Sequence, residues 1–382
     1  MKNLKLNVLV LVIILAIVVV AYLGHISMAE PQEKGTIKIG ATLPLTGVSS
    51  FYGQYPRRGM EIALKDINDQ GGINGKPLEI IFEDTNSENT LAVNTLQRLI
   101  SMEEATVILA SASSPETIAQ APIAENMETV LIASGSAAPK IREAGDYIFR
   151  VKVAVDVEVK ELLKFVSNKL KAEKIYILYV QNDYGQGLAE AANEYWQELG
   201  GVIVGEEAFE LKENDYRTYL LKIKKEQPEV VVLAGWASNV GWILKQAQEL
   251  DLKIPIVAPA GSIGPEVIEI AGSAADGLIY NTEFDSDNQS AVFQNFKIKY
   301  EQQYQTEPDL FSAMGYDATM IIAKMLGKCG QDSTCIKDEL YKVKDYDGAS
   351  GIISFDQNGD VIKPLNFIQI KDGKHVKYEA LK

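Results

Sequence analysis

Two spacings of apolar residues alternate along the chain after its N-terminal segment. A β-rich run over 36–43 predicts a strand, and the helical spacing of Met60, Ala63 and Ile67 predicts a helix over 57–68. The alternation continues through expected strands at 78–83, 106–110 and 130–132, with helices between them. Strands that alternate with helices in this way typically form a parallel sheet covered by helices on both faces.

The alternation begins again near residue 156. Strands are expected at 174–179, 202–208, 230–233, 254–257 and 277–280. Two helical patterns follow at 291–304 and 312–326, and short strands with turns are expected from residue 350 onward. No linker rich in glycine, serine or proline separates the two halves, so the chain is expected to pass between two lobes more than once.

The first 29 residues have the order of a secretory signal. Lys2 and Lys5 precede an unbroken apolar run over 8–23, and Ser27 and Ala29 provide the small residues of a signal-peptidase site. The apolar run also approaches the length of a short membrane helix, so an uncleaved N-terminal anchor is the alternative. Both alternatives place most of the chain outside the cytoplasm.

The composition is that of an acidic, globular protein. Without residues 1–29, the chain keeps 35 basic and 52 acidic residues, a net charge of −17. Nucleic-acid binding needs a basic surface, so this class of function is excluded. The rest of the 382-residue chain is too long to fold around one ordinary hydrophobic core, so the sequence predicts two domains.

Cys329 and Cys335 are the two cysteines of the chain and lie close together in the sequence. In an oxidising compartment such a pair typically forms a structural disulfide, whose short loop stabilises the fold by roughly 2 kcal/mol. A two-cysteine metal site is the alternative, but histidine partners are missing. The sequence thus predicts a disulfide and no metal site.

Histidine is nearly absent, which argues against most hydrolytic and nucleophilic enzymes. The chain contains His25, within the expected signal, and His375, in a polar stretch near the C-terminus. Catalytic triads and histidine-based metal centres need an imidazole in a cleft. The glycine motifs of nucleotide binding are also incomplete, so no cofactor is expected. An enzyme that uses paired carboxylates is a less favoured alternative, because acidic residues are plentiful.

Small hydroxyl residues occupy the loops that follow the expected strands of the first half. In a parallel sheet, ligands bind beyond the carboxyl ends of the strands. Ser113 and Ser114 follow one strand and precede a helix, while Gly135, Ser136 and Ala137 follow the next strand. Hydroxyl groups and free N–H groups at the start of a helix can receive a carboxylate or a similar polar group. Helix capping is the alternative role of these serines.

Aromatic residues occupy the corresponding loops of the second half. Tyr184 follows the expected strand at 174–179, and Trp236 follows the strand at 230–233. Aromatic rings at strand ends suit an apolar ligand surface, although packing of the lobe edges is the alternative role. Hydroxyl groups in one half and aromatic rings in the other predict a cleft that closes over a small polar molecule without reacting with it.

Eight segments have the order and spacing of one known protein family. They are IKIGATLPLTG (37–47), YG (52–53), RRGMEIALKDIN (57–68), GGINGKPLE (71–79), NDYGQGLAEA (182–191), LKQAQELDLKIPIV (244–257), GYDA (315–318) and GIISFDQNGD (351–360). With these segments the chain resembles the type I periplasmic binding proteins, specifically the branched-chain amino acid receptors of ABC transporters. The resemblance extends over nearly all of residues 36–370.

The resemblance implies an α/β fold of two Rossmann-like lobes with parallel-type sheets, joined by three crossovers and closing like a hinged trap. Under this fold, we expect the first lobe to comprise residues 36–155 and 284–342. The second lobe is expected to comprise residues 156–283 and 343–382.

The resemblance also implies a set of ligand contacts. The family's carboxylate-binding serine aligns with Ser114, next to Ser113, and is supported by the loop that aligns with Gly135, Ser136 and Ala137. The family's first-lobe residues that form the wall of the ligand site align with Tyr52 and Phe311. The family's second-lobe aromatic residues that cover the ligand align with Tyr184 and Trp236.

Two positions depart from the pattern of the family's amino-acid binders. Ala137 stands where a hydroxyl residue is usual, and Ala260 stands where an acid receives the ligand's ammonium group. A desolvated ammonium without a carboxylate partner is costly, so another acid is required if the ligand is an amino acid. Asp156, at the expected first crossover, is a candidate, with a hinge or turn role as the alternative. Amides, aromatic acids and other small carboxylates are therefore also expected ligand classes.

These expectations favour an extracytoplasmic substrate-binding subunit of an ABC importer. Such a subunit traps an amino acid-like or carboxylate ligand and presents its closed form to a membrane permease. A ligand sensor tethered by the N-terminal helix is the first alternative, and the carboxylate-based enzyme is the second.

Overall fold

The structure of the protein, a computed structural model, describes residues 12, 14–18 and 35–378. The expected signal or membrane anchor over residues 1–29 lies outside the described residues, apart from 12 and 14–18. Among the helices that the structure describes, none has both the length and the apolar character that crossing a membrane requires.

Strands and helices alternate through most of the described chain. The strands, in chain order, are β1 (Ile37–Leu43), β2 (Leu78–Asp84), β3 (Val107–Ala110), β4 (Val130–Ala133), β5 (Ile148–Arg150), β6 (Lys174–Val180), β7 (Val202–Phe209), β8 (Val230–Ala234), β9 (Ile256–Pro259), β10 (Ile279–Thr282), β11 (Tyr346–Gly348), β12 (Gly351–Ile353), β13 (Asn366–Lys371) and β14 (Lys374–Lys377). The α-helices are α1 (Phe51–Asp69), α2 (Asn89–Glu103), α3 (Ser114–Asn126), α4 (Val155–Phe165), α5 (Asp183–Glu198), α6 (Arg217–Glu226), α7 (Ala237–Glu249), α8 (Pro265–Ala271), α9 (Ala291–Tyr304), α10 (Leu310–Cys329) and α11 (Ser333–Leu340).

Two separate sheets form the centres of two lobes. The first sheet has the order β2-β1-β3-β4-β5, and all of its neighbouring strands run parallel. The second sheet has the order β14-β13-β10-β9-β8-β6-β7, with parallel pairing from β10 to β7 and antiparallel pairing at β13 and β14. Strands β3, β4 and β8 are buried along their whole length, as strands covered by helices on both faces require. The expected α/β class with two Rossmann-like lobes is thus confirmed.

Three crossovers connect the lobes. The first lies between β5 and α4, the second between β10 and α9, and the third between β12 and β13. Arg150, fully buried at the end of β5, donates two hydrogen bonds of 2.6 and 2.7 Å to the Asp360 carboxylate. This bidentate ion pair links the first crossover to the third.

The third crossover lies later in the chain than the expected boundary at residue 343. Phe355 and Val361 pack in the same hydrophobic core as β1 and α10. The hairpin of β11 and β12 is also held to α10, because the Asp317 carboxylate accepts hydrogen bonds from the Ala349 and Ser350 N–H groups at 2.6 and 2.7 Å. We therefore propose that the C-terminal segment of the second lobe begins near residue 364.

A disulfide joins Cys329, at the end of α10, to Cys335 in α11. We expect replacement of both cysteines with serine to lower the free energy of unfolding by about 2 kcal/mol, because the loop that the bond closes is short. Urea denaturation of the oxidised protein and of the double variant measures this difference. If reduction lowers the stability of the wild type but leaves the double variant unchanged, the effect belongs to this bond.

Candidate functional site

The candidate site lies where the two lobes meet, at the carboxyl ends of the central strands. The first lobe contributes the first turn of α1 and the loops that follow β3 and β4. The second lobe contributes the loops that follow β6, β8 and β9. This arrangement follows from the parallel sheets, because helix N-termini and strand ends then face one edge of each sheet.

Aromatic rings from both lobes pack together across the cleft. The Tyr52 ring of α1 lies 5.2 Å from the Trp236 ring of the second lobe and 5.2 Å from the Phe311 ring of α10, measured between ring centroids. Phe51 packs edge-on against Phe311 at 5.6 Å. Tyr52, Trp236 and Phe311 are all buried. The cleft therefore has an apolar wall whose rings come from both lobes.

The Tyr52 hydroxyl connects the lobes by hydrogen bonds. It donates to the Gly261 carbonyl oxygen at 3.0 Å and accepts from the Ala237 N–H at 3.3 Å. Burial raises the pKa of Tyr52 well above its ordinary value, so the hydroxyl keeps its proton for Gly261. Pro56 cannot donate to the Tyr52 carbonyl, which instead accepts from the Ala112 N–H at 3.2 Å. This bond joins the first turn of α1 to the loop after β3.

Ser114 joins the two hydroxyl-rich loops of the first lobe. Its Oγ accepts hydrogen bonds from the Ala137 and Ala138 N–H groups, each at 3.1 Å. Neither bond uses the hydroxyl proton, which remains available for donation to a ligand. Ser136 is engaged elsewhere, since its Oγ donates to the Ser111 carbonyl oxygen at 3.0 Å. The Ser114 hydroxyl proton is therefore not used in these two bonds, whereas the Ser136 hydroxyl fixes its own loop.

Tyr184 lies in the first turn of α5, at the edge of the second lobe that lines the cavity. Asn182 caps α5 by accepting from the Tyr184 and Gly185 N–H groups, which fixes the first turn of this helix. The Tyr184 hydroxyl lies 3.1 Å from Ser262 Oγ, which also accepts from the Gly235 N–H at 3.1 Å. Ser262 thus ties together the loops that follow β6, β8 and β9.

The lobes enclose a small cavity of about 10 Å³, enough for roughly one water molecule. A larger ligand requires the lobes to move apart. Seven of the expected ligand-binding residues line the cavity, namely Tyr52, Ser114, Gly135, Ala137, Tyr184, Trp236 and Phe311. The lining also includes three residues that the sequence did not single out, which are Ala112, Pro115 and Gly261.

Three expected ligand-binding residues lie beside the cavity without lining it. Ser113 and Ser136 are buried behind its first-lobe wall, and Ala260 is buried next to Gly261. Sequence reasoning missed Gly261 because its contact with Tyr52 is made by a backbone carbonyl oxygen, which any residue type provides.

Asp156 does not line the cavity and forms an ion pair. Its carboxylate accepts from the Arg142 guanidinium at 3.1 and 3.2 Å. Arg142 also donates to Asp360 at 2.9 Å, so Asp156 belongs to the charged contacts around the crossovers. This placement favours the hinge role over a ligand contact. Within the described part of the chain, no group of metal-ligating side chains comes together.

The sequence of this chain matches a protein family over nearly its whole length. The model of the family described as periplasmic binding protein matches residues 36–374. Among curated relatives, the leucine-, isoleucine-, valine-, threonine- and alanine-binding protein of Pseudomonas aeruginosa is 26% identical over 330 residues, which cover 85% of this chain and 87% of the relative.

Solved structures with the same fold include two that are similar in sequence. A leucine-binding protein from Thermotoga maritima has a TM-score of 0.84 and 28% identity, covering 90% of this chain and 99% of that protein. The branched-chain amino acid transporter substrate-binding protein of Streptococcus pneumoniae, in complex with isoleucine, has a TM-score of 0.83 and 29% identity, covering 89% of this chain and 98% of that protein.

Proposed function

Because this chain belongs to the periplasmic binding protein family, we propose that it is the substrate-binding subunit of an ABC importer of the branched-chain amino acid type. It acts outside the cytoplasm, traps a small amino acid-like or carboxylate ligand between its lobes, and releases that ligand unchanged. One observation carries this proposal: groups of both lobes line the same small cavity, and the Tyr52 hydroxyl of the first lobe donates to the Gly261 carbonyl oxygen of the second.

Ligand binding is divided between a polar and an apolar part of the cavity. The Ser114 hydroxyl donates to a carboxylate or amide oxygen, close to the N-terminus of α3, whose dipole favours negative charge. The apolar body of the ligand packs against Tyr52, Trp236 and Phe311. Relatives named for binding leucine, isoleucine and valine support a ligand of this size and polarity.

Closure of the lobes couples binding to transport. Contacts such as the Tyr52–Gly261 hydrogen bond form only when the lobes are together, so a ligand that stabilises the closed form shifts the population toward it. The closed form then presents a continuous surface of both lobes to a membrane permease. None of these steps requires a cofactor or a chemical change in the ligand.

The proposed function is tested by identifying what the protein carries. The purified protein is denatured, and the released small molecules are identified by mass spectrometry. Titration calorimetry with the same compound then measures its affinity for ligand-free protein. Recovery of an amino acid or small carboxylate that is bound and returned unchanged supports the proposal. Conversion of the compound during long incubation contradicts it.

Ser114→Ala is expected to weaken binding of the identified ligand by about 1–3 kcal/mol, because the ligand's polar group loses a donor inside a closed cavity. Calorimetry on both proteins measures the difference. Ser101→Ala, at an exposed position of α2, is the matched control and should leave the affinity unchanged. An unchanged affinity in Ser114→Ala would reject Ser114 as a ligand contact.

A further inference from the structure

A buried glutamate lies in the first turn of α3, behind the first-lobe wall of the cavity. Glu116 follows Ser114 and Pro115, which both line the cavity, yet its own side chain is only 2% exposed. The hydrogen bonds that it accepts from other described side chains come from hydroxyl groups rather than from a cation. An acid buried in this way is costly to ionise, so its charge state near the ligand site needs an explanation.

The two oxygens of the Glu116 carboxyl group have different surroundings. Oε2 accepts from Thr85 Oγ1 at 2.9 Å and from Ser111 Oγ at 3.5 Å. Oε1 is buried and has no hydrogen-bond partner among the described residues. Because both hydroxyl donors point to Oε2, the proton of a neutral Glu116 belongs on Oε1. The hydrogen bonds to Oε2 are then kept in both charge states.

These hydrogen bonds connect Glu116 to the loops that shape the polar part of the cavity. Ser111 Oγ, which donates to Glu116, accepts from the Ser113 N–H at 3.0 Å. The Ser111 carbonyl oxygen accepts from Ser136 Oγ, also at 3.0 Å. Ser136 lies in the loop whose N–H groups donate to Ser114. Glu116 therefore acts on the Ser114 site through these loops.

The start of α3 is suited to one negative charge at a time. The positive end of the helix dipole favours an anion there, and the proposed function places the ligand carboxylate at Ser114, in the first turn. An ionised Glu116 would be a second negative charge in the same turn. Pro115 has no N–H group, so this turn has one donor fewer for two anions to share. Two like charges so placed oppose each other's ionisation.

The surroundings of Glu116 keep it close to the point where it changes charge. Burial raises the pKa of Glu116 to about 7, although the hydroxyl groups around it favour the charged form. The charge of Asp84, at the end of β2, adds to this rise. Partial burial opposes the charge of Asp84, but hydrogen bonds from Thr46, Asn86 and Leu45 hold its pKa below the ordinary value. Near neutral pH, Glu116 therefore titrates while Asp84 stays ionised.

We propose that Glu116 is a positioning residue that couples capture of a carboxylate to uptake of a proton: the anion binds at Ser114 when Glu116 is neutral. The inference rests on the proposed function and adds a pH dependence to it. The proton comes from solvent, is held on Glu116 Oε1 while the anion is bound, and leaves when the anion leaves. The bound form holds more protons than the free form, so affinity is highest below pH 7 and falls as pH rises above it.

The test compares the affinity for carboxylates at two pH values. Ligand-free wild type is titrated by calorimetry with the twenty L-amino acids and with their deaminated acids, for example L-leucine and 4-methylpentanoate. Each probe that binds at pH 6 is titrated again at pH 8. We expect wild-type affinity to be about fivefold weaker at pH 8, for a pKa that binding raises by about one unit. Glu116→Gln has the same shape and cannot ionise, so its affinity should change less than about twofold.

Proton counting provides a readout that a merely structural role of Glu116 would not change. Calorimetry in buffers of different ionisation enthalpy should show uptake of about half a proton near pH 7.5 in the wild type, and this uptake should be lost in Glu116→Gln. Burial raises the pKa of Glu158 to about 8, but Glu158 is present in both proteins, so the difference between them belongs to Glu116. Glu79→Gln, at an exposed position of β2, is the matched control and should keep the uptake.

The stability of the ligand-free protein tests the charge state of Glu116 directly. A folded-state pKa above the unfolded value means that the folded state binds more protons, so wild-type stability falls as pH rises from 5 to 7. Urea midpoints should fall less over this range in Glu116→Gln than in the wild type. Equal pH dependence in the two proteins would overturn the inference, because Glu116 would then be ionised in the folded protein throughout.

The outcomes separate this inference from the proposed function. Wild-type affinity that does not change between pH 6 and pH 8, or an equal decrease in Glu116→Gln, would overturn the inference and leave the ligand-trapping function standing. Proton uptake that is present in the wild type and in Glu79→Gln, and lost in Glu116→Gln, supports it. If no amino acid and no small carboxylate binds at either pH, the proposed function fails, and the inference fails with it.

Discussion

Replacing Gly59 with alanine is expected to lower the free energy of unfolding by about 3 kcal/mol, because α1 and α10 pack too closely for a side chain at this position. A Cβ at Gly59 would lie 1.8 Å from the Ser312 carbonyl oxygen. A Cβ at Gly315, on the facing helix, would lie 2.1 Å from the Pro56 carbonyl oxygen. Both obstacles are backbone atoms, so the helices themselves would have to separate.

Urea denaturation of Gly59→Ala, followed by circular dichroism, measures this loss. Gly327→Ala is the matched control, since it lies in α10 and its added Cβ would have no atom closer than 3.9 Å. There alanine should stabilise the helix by up to about 1 kcal/mol. Equal effects at Gly59 and Gly327 would contradict close packing as the cause. The consequence for function is that Phe311 and Tyr52, which lie on these two helices, depend on the same packing.

The alternation of strands and helices could be predicted because buried parallel strands are continuous apolar runs. Strands β3, β4 and β8 have that pattern and lie within one residue of their expected positions. Strand β5 lacks it, since it has three residues and ends in Arg150. Inside the fold, the guanidinium of this arginine is bound by Asp360, 210 positions later in the chain, and by the Ala138 carbonyl oxygen. Contacts over that distance leave no local sign in the sequence.

The start of α1 shows how one residue can mislead a local prediction. Pro56 lacks an N–H group and favours a helix that begins at residue 57. In the structure the helix begins at Phe51, and the carbonyl group that Pro56 cannot bond is satisfied by the Ala112 N–H. The hydrogen bond that replaces the missing one thus comes from the loop after β3. It also places Tyr52, on the first turn, at the cleft.

Much of the lining of the cavity could be found from the sequence because strand-end loops converge in parallel sheets. Ser114, Tyr184 and Trp236 follow this rule. The burial of Glu158 could not be predicted in this way, because Glu158 lies within a helix and has other charged residues near it in the sequence. Its burial depends on Lys152 and on Glu283, which belongs to another crossover. Asp156, another acidic residue two positions earlier, forms an ion pair with Arg142 instead.

Lys152→Met is expected to destabilise the protein by about 3–5 kcal/mol near neutral pH, because it leaves buried carboxyl groups without their positive partner. Burial opposes the charge of Lys152, but Glu158 and Glu283 together raise its pKa above the ordinary value, so the ammonium group is present throughout the neutral range. Methionine fills a similar volume and keeps the packing of the stem. The loss of stability in Lys152→Met therefore measures the contribution of the positive charge of Lys152.

The pH dependence of this loss tests its electrostatic origin. Without Lys152, Glu158 and Glu283 hold protons in the folded state up to a higher pH than in the unfolded state. The folded state then binds more protons, so stability falls as pH rises, and the deficit of the variant should grow between pH 5 and pH 8. Urea midpoints across this range measure it.

Two further variants determine whether the carboxyl groups cause the effect of Lys152→Met. Lys164→Met removes an exposed lysine that pairs with Glu161 on α4 and should change stability by less than about 0.5 kcal/mol. Adding Glu158→Gln to Lys152→Met should restore part of the lost stability, because Glu283 then keeps Lys363 as its remaining positive neighbour. A deficit that is independent of pH and is not reduced in the double variant would show that Lys152 stabilises the crossovers by packing. Lys152 lies in the first crossover and Glu283 in the second, so a deficit that grows with pH would show that the charge of Lys152 holds these two crossovers together.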